Sequence, residues 1–129
     1  MKINIETIPH KSQHYETVGD YWIDTDGTMQ IRVSDMNNWK YELLVIIHEI
    51  IEQNLCIDRG IDNEKEIVPF DILFEKEREA GKHNEDAEPG DDPRAPYRKE
   101  HFTATNIERI LAQELGVDWE QYNNTVMSL

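Results

Sequence analysis

The run His48-Glu49-Ile50-Ile51-Glu52 sets an imidazole and two carboxylates inside a segment, Trp39 to Cys56, that is otherwise almost wholly apolar. Unpaired charge in an apolar site costs several kcal/mol, so these groups need partners. The partners are a metal ion, other polar side chains or a substrate. Imidazole nitrogen and carboxylate oxygen both ligate zinc, and a carboxylate beside a metal can act as a base.

At about 100° per residue the segment reads as a buried helix. His48 and Glu52 are one turn apart and share a face with Tyr41, Val45, Leu55 and Cys56, which puts their side chains within reach of one cation. Glu42, Glu49 and Gln53 form the single polar strip, the expected solvent or cleft side. A last helix has the apolar face Ala104, Ile107, Leu111 and Leu115, with His101, Thr105 and Glu108 along its edge. In a middle helix Ile67, Phe70 and Phe74 mark the buried side and Asp71 and Arg78 its border. Asp71 and Glu75 are four apart, a mildly unfavourable like-charge pair unless a cation lies near. Three helices thus offer polar groups beside apolar faces: His48 and Glu52, Asp71 and Glu75, His101 and Glu108. Converging sets of this kind build metal sites in helical cores. The alternative is a metal-free hydrogen-bond network in which Arg78 or Arg109 pairs a carboxylate.

The elements that would position these groups follow from pattern. Lys2 to Ile8 alternates and Pro9 ends it; Tyr21–Asp24 and Met29–Val33 flank the hairpin signal Asp26-Gly27. His10 and His14 lie between strands and read as solvated. The first helix starts near Ser34-Asp35 or Asn37-Asn38 and runs to about Ile57, with Gly60 beyond it. Pro69 is a first-turn residue of the middle helix, which Gly81 stops. The last helix spans Lys99 to Leu115 and Gly116 closes it; Asp118 caps a final short turn, and the tail after it frays or docks. The expected fold is α+β: one domain over 1–129, an N-terminal antiparallel sheet packed on three helices. Residues 82–98, with three prolines, a glycine and many acids, read as a mobile loop that protease nicks first, with His83 exposed.

The whole chain of 129 residues carries 27 acidic against 13 basic side chains, a net charge of −14. Such a surface repels phosphate backbones and anionic membranes, so neither nucleic acid nor lipid is an expected partner. The single cysteine, Cys56, reads as a small buried hydrophobe, and its isolation fits a reducing cytoplasm. No signal peptide or membrane span is legible.

His48-Glu49-x-x-Glu52 resembles the H-E-x-x-H helix of zincin metallopeptidases, with Glu52 where the second histidine would stand. The order of a sheet, the motif helix and a later helix with a downstream histidine is also similar, and small phage-encoded and bacterial proteins of zincin-like type share this size and layout. The resemblance implies zinc held by His48, Glu52 and His101, and Glu49 as the base toward water activated by the metal. Asp71 would orient a histidine or be an alternative ligand, and the reaction would be hydrolysis of a peptide or amide bond. Glu49-x-x-Glu52 also resembles the E-x-x-E helix of MazG-type nucleotide pyrophosphohydrolases, which implies Mg²⁺, although Asp71-x-x-x-Glu75 departs from their second motif. A third reading is a non-enzymatic adaptor that binds through its acidic surface and loop.

Overall fold

The computed structural model describes residues 1–129. In chain order it contains β1 (Ile3–Ile8), β2 (Gly19–Ile23), β3 (Met29–Ser34), α1 (Trp39–Asp58), α2 (Val68–Glu79), α3 (Arg98–Glu114) and α4 (Trp119–Met127). The class is α+β, with a three-stranded sheet and four helices.

The sheet order is β1-β3-β2. β3 takes the centre because Met29, Ile31 and Val33 are all buried, whereas β1 is exposed along most of its length. β2 and β3 form the expected hairpin, with Gly27 at φ 83° and its N–H donating to the Asp24 carbonyl at 2.9 Å. β1 instead pairs parallel to β3, Ile5 opposite Ile31, so the sheet is mixed and the expectation of a wholly antiparallel sheet is corrected. Alternation reports which face is buried, not strand direction. The direction is set by the link 9–18, which returns the chain to the far side of β3.

Asn38 caps α1: its side chain accepts from Lys40 N at 3.1 Å, and Glu42 accepts from the Asn38 N–H at 3.0 Å. Gly60, at φ 71°, ends the helix in the left-handed conformation that glycine adopts without steric cost. α1 packs on β2 and β3 and, most extensively, on α3. Tyr21, Ile31, Val33, Leu44, Val45 and Cys56 form the centre of the core. No helix is long and apolar enough to cross a membrane.

Two further expectations change, at α4 and at His10. α4 is a true helix, not one short turn: Asp118 caps it, and Tyr122 is buried against Tyr41 and Trp119. A π-helical turn, Asn63–Ile67, precedes α2. His10 is half-buried, with Nδ1 2.8 Å from Ser34 Oγ and Nε2 3.2 Å from Glu16.

The segment 82–98 is anchored at several points. Arg78 donates to the carbonyls of Asn84 at 3.0 Å, Glu85 at 2.7 Å and Ala87, while holding Glu75 at 3.0 Å. His83, expected exposed, stacks on Phe74 with ring centroids 4.0 Å apart. Gly90, Ala95 and Tyr97 are buried. The segment therefore forms one wall of the site described next.

Candidate metal centre

α1 and α3 bring His48, Glu52 and His101 together. His48 Nε2 and His101 Nδ1 each lie 2.9 Å from Glu52 Oε2, and the two nitrogens are 3.2 Å apart. All three residues are buried, at 9%, 5% and 8% exposure. The helical offset of four explains His48 and Glu52; the packing of α3 on α1 supplies His101.

The donor set fits zinc. Ligands at about 2.0–2.2 Å on a tetrahedral centre stand roughly 3.3–3.5 Å apart, so these atoms need move outward by only a few tenths of an ångström. Each histidine also presents its second nitrogen to a carboxylate. His48 Nδ1 is 2.9 Å from Glu108 Oε2, and His101 Nε2 is 3.0 Å from Glu88 Oε2. Glu108 is fixed in turn by the Tyr122 hydroxyl, which donates at 2.9 Å. Carboxylates behind ligating histidines set ring orientation and raise ligand basicity, and losing one typically costs 10–100-fold in metal affinity.

The electrostatics of these side chains follow from the same contacts. Burial works against charge on Glu52, but hydrogen bonds from His101 and His48 prevail and hold its carboxyl down to about 2. Burial also opposes charge on the two histidines, and their carboxylate partners reverse it: His101 rises to about 10 and His48 stands well above the ordinary imidazole value. A metal ion must displace the protons held here.

Glu49 points elsewhere. It makes no hydrogen bond to another side chain, packs across Gly19 and lines the cleft beside the triad. A Cβ at Gly19 would lie 2.5 Å from Glu49 Oε1, so only glycine leaves the carboxylate this room. Burial and the Glu52 charge push its carboxyl up to about 8. The polar strip of α1 thus splits: Glu49 faces the cleft, Glu42 caps the helix, and Gln53 is fully buried, not solvent-facing.

Asp71 does not join the triad, nor does it bond a histidine. It accepts from the Tyr97 hydroxyl at 2.5 Å and the Tyr15 hydroxyl at 3.2 Å. Burial, then the Glu52 charge, outweigh these bonds and push its carboxyl up to about 7. Its link to the triad is through Tyr97, whose ring meets that of His101 edge-on. Glu75 is held by Arg78, so the two acids of α2 do not form a metal pair with Glu49 and Glu52.

Pattern alone did not indicate Glu88, Gly90, Tyr15, Tyr97 and Tyr122. The Glu88-Pro-Gly90-Asp-Asp run carried a signal, since a glycine inside a long loop can mark a close approach. Here it does: a Cβ on Gly90 would stand 2.3 Å from His101 Cγ. Gly90→Ala is therefore expected to push the turn Pro89–Asp91 off His101 and separate Glu88 from Nε2. Thermal unfolding should show a loss of about 1–3 kcal/mol, the usual range for overpacking, and metal affinity should fall about tenfold or more. Unchanged melting and metal affinity would show that this turn does not support the histidine.

Comparison with protein-family models, curated proteins and solved structures gives no match for this chain.

Proposed function

We propose that the protein is a metal-dependent hydrolase of peptide or amide bonds, with zinc held by His48, Glu52 and His101. The observation that carries this reading is the convergence of three donor atoms within 3.2 Å, each histidine backed by a carboxylate, beside the unpartnered Glu49 carboxyl on an open cleft. A bound zinc ion would supply Lewis-acid polarisation of water and of the amide carbonyl. The ionised form of Glu49, dominant only above its raised value of about 8, takes a proton as a water oxygen bonds to the amide carbon, so hydrolysis should rise with pH through that range. The C–N bond then breaks, and Glu49 returns that proton to the leaving nitrogen. Glu108 and Glu88 hold the histidines in orientation, with Tyr122 steadying Glu108. The cleft, about 300 Å³, suits a short segment of chain.

A second reading is a buried polar network without metal, in an adaptor protein. It draws on the fact that the ring nitrogens of both histidines already have carboxylate partners. Elemental analysis of chelator-free protein separates the two, together with amide hydrolysis assayed before and after treatment with a chelator. The hydrolase reading expects close to one transition metal per chain and activity that the chelator abolishes and Zn²⁺ restores. Metal-free protein whose melting does not respond to Zn²⁺ would refute it.

A further inference from the structure

The turn Pro89–Asp91 is of the 3₁₀ type, and the Asp91 N–H donates to the Glu88 carbonyl at 3.2 Å. Residues three apart on such a turn eclipse one another, so the side chains of Glu88 and Asp91 share an edge. That edge faces His101. Glu88 Oε2 lies 3.0 Å and Asp91 Oδ1 3.5 Å from the same atom, Nε2, the ring nitrogen that the triad does not use.

Two further observations separate this group from a pair of surface acids. The first is the imidazole itself, which is buried and presents Nε2 to both carboxylates. The second is Gly90, which lets the turn lie directly on the ring, since a Cβ there would stand 2.3 Å from His101 Cγ. One nitrogen carries at most one proton, and Glu88 takes that hydrogen bond; Asp91, at 3.5 Å, is left without one. No lysine or arginine pairs with either carboxylate. Arg98 donates instead to the Asp91 backbone carbonyl, at 3.4 Å. Like charges three residues apart repel. Here they converge with an imidazole nitrogen, the three donor atoms all within 4.8 Å of one another.

We propose that Glu88, Asp91 and His101 Nε2 form a second metal site for a divalent transition ion, joined to the triad through the His101 ring. One nitrogen and two carboxylate oxygens suit Zn²⁺ better than Mg²⁺ or Ca²⁺, which take oxygen ligands. Asp91 is 69% exposed, so water reaches the remaining positions. When both ions are bound, the Nε2 proton of His101 passes to solvent and two cations share one ring. The second site is therefore weaker than the triad and fills only at added Zn²⁺ beyond the first equivalent. It goes beyond the hydrolase reading and involves neither Glu49 nor turnover.

Calorimetric titration of the metal-free full chain with Zn²⁺, with ions per chain counted at equilibrium dialysis, tests the site. The parent is expected to take two ions, a tight one and then a weaker one, and excess Mg²⁺ should not displace the second. Asp91→Asn alters an exposed side chain. It should keep the tight ion and weaken the other by more than the 10–100-fold that loss of an outer partner costs. Glu88→Gln should act on the second ion in the same way. Glu52→Gln should lose the tight ion and keep the weak one. One ion per chain at saturation in the parent, a second ion that Asp91→Asn binds as well as the parent does, or displacement by Mg²⁺ would overturn the second site. Loss of an ion in Asp91→Asn but not in Glu52→Gln would leave this site standing and remove the triad from the hydrolase reading. Loss of the sole ion in Glu52→Gln, with Asp91→Asn indifferent, would do the reverse.

Discussion

Alanine at His101 or His48 is expected to remove metal from the protein altogether. His101 Nδ1 and His48 Nε2 are two of the three donor atoms, Glu52 Oε2 being the third. Deleting either leaves two donors, too few to hold zinc against water, so affinity should fall by more than the 10–100-fold that loss of an outer partner costs. The variants should also be less stable than the parent, for two separable reasons. A buried Glu52 loses one of its two hydrogen-bonded partners, and either the half-buried Glu88 or the buried Glu108 is left without its imidazole. With zinc held as proposed, the parent would also gain stability from it by mass action, about 2.7 kcal/mol at a hundredfold excess over Kd, and the variants would not. Melting curves with and without added Zn²⁺ separate the two: the parent's midpoint should rise with Zn²⁺ and the variants' should not. Glu52→Gln keeps the volume and removes the charge, so it should lose most of the metal while keeping the fold better than either alanine variant. A His101→Ala protein that still carries one zinc per chain would place the metal elsewhere.

The chemistry of α1 was legible because it broke a rule. An apolar helix does not carry a histidine and two acids without cause, and a four-residue offset fixes which two share a face. His101 was legible for the same reason, as a polar residue at the edge of an apolar face. Asp71 was not distinguishable from these: it has the same edge position on α2, but tyrosines hold it instead of joining it to the triad. Helical projection gives the face of a side chain, not the distance between helices. Glu88 and Gly90 were hidden for a different reason. They lie in an acidic, proline-rich segment whose composition is that of a solvated loop, and it is Arg78, reaching the carbonyls of residues 84, 85 and 87, that anchors the segment. In the sheet, alternation gave the strands and Asp26-Gly27 the hairpin, but nothing local states that β1 lies parallel to β3. That outcome goes with β3 being the most buried strand, paired on both sides at the centre.

Glu49→Gln is expected to leave metal content and melting close to the parent while reducing hydrolysis by about 10²–10⁴-fold, the usual contribution of a general base. The geometry makes the substitution informative. Glu49 has no side-chain partner to lose, so an amide of the same size breaks no internal bond. Burial and the Glu52 charge already hold this carboxyl largely neutral below about pH 8, so a neutral amide changes little there and the stability change should be near zero at pH 7 and favourable only at higher pH. An amide cannot take the proton released as water adds to the carbonyl, so the loss should fall on kcat, with binding of an uncleaved amide little changed. Glu49→Asp retains a carboxylate but withdraws it by one methylene, and partial activity there would identify the proton acceptor by chemistry and reach. The control is Gly19→Ala, whose Cβ would collide with the Glu49 carboxylate and force it aside. It should lower kcat without changing metal content, since Gly19 touches no metal ligand. Full activity in Glu49→Gln would remove Glu49 from the mechanism, whereas loss in both Glu49→Gln and Gly19→Ala with the metal retained would assign the proton transfer to this one carboxylate.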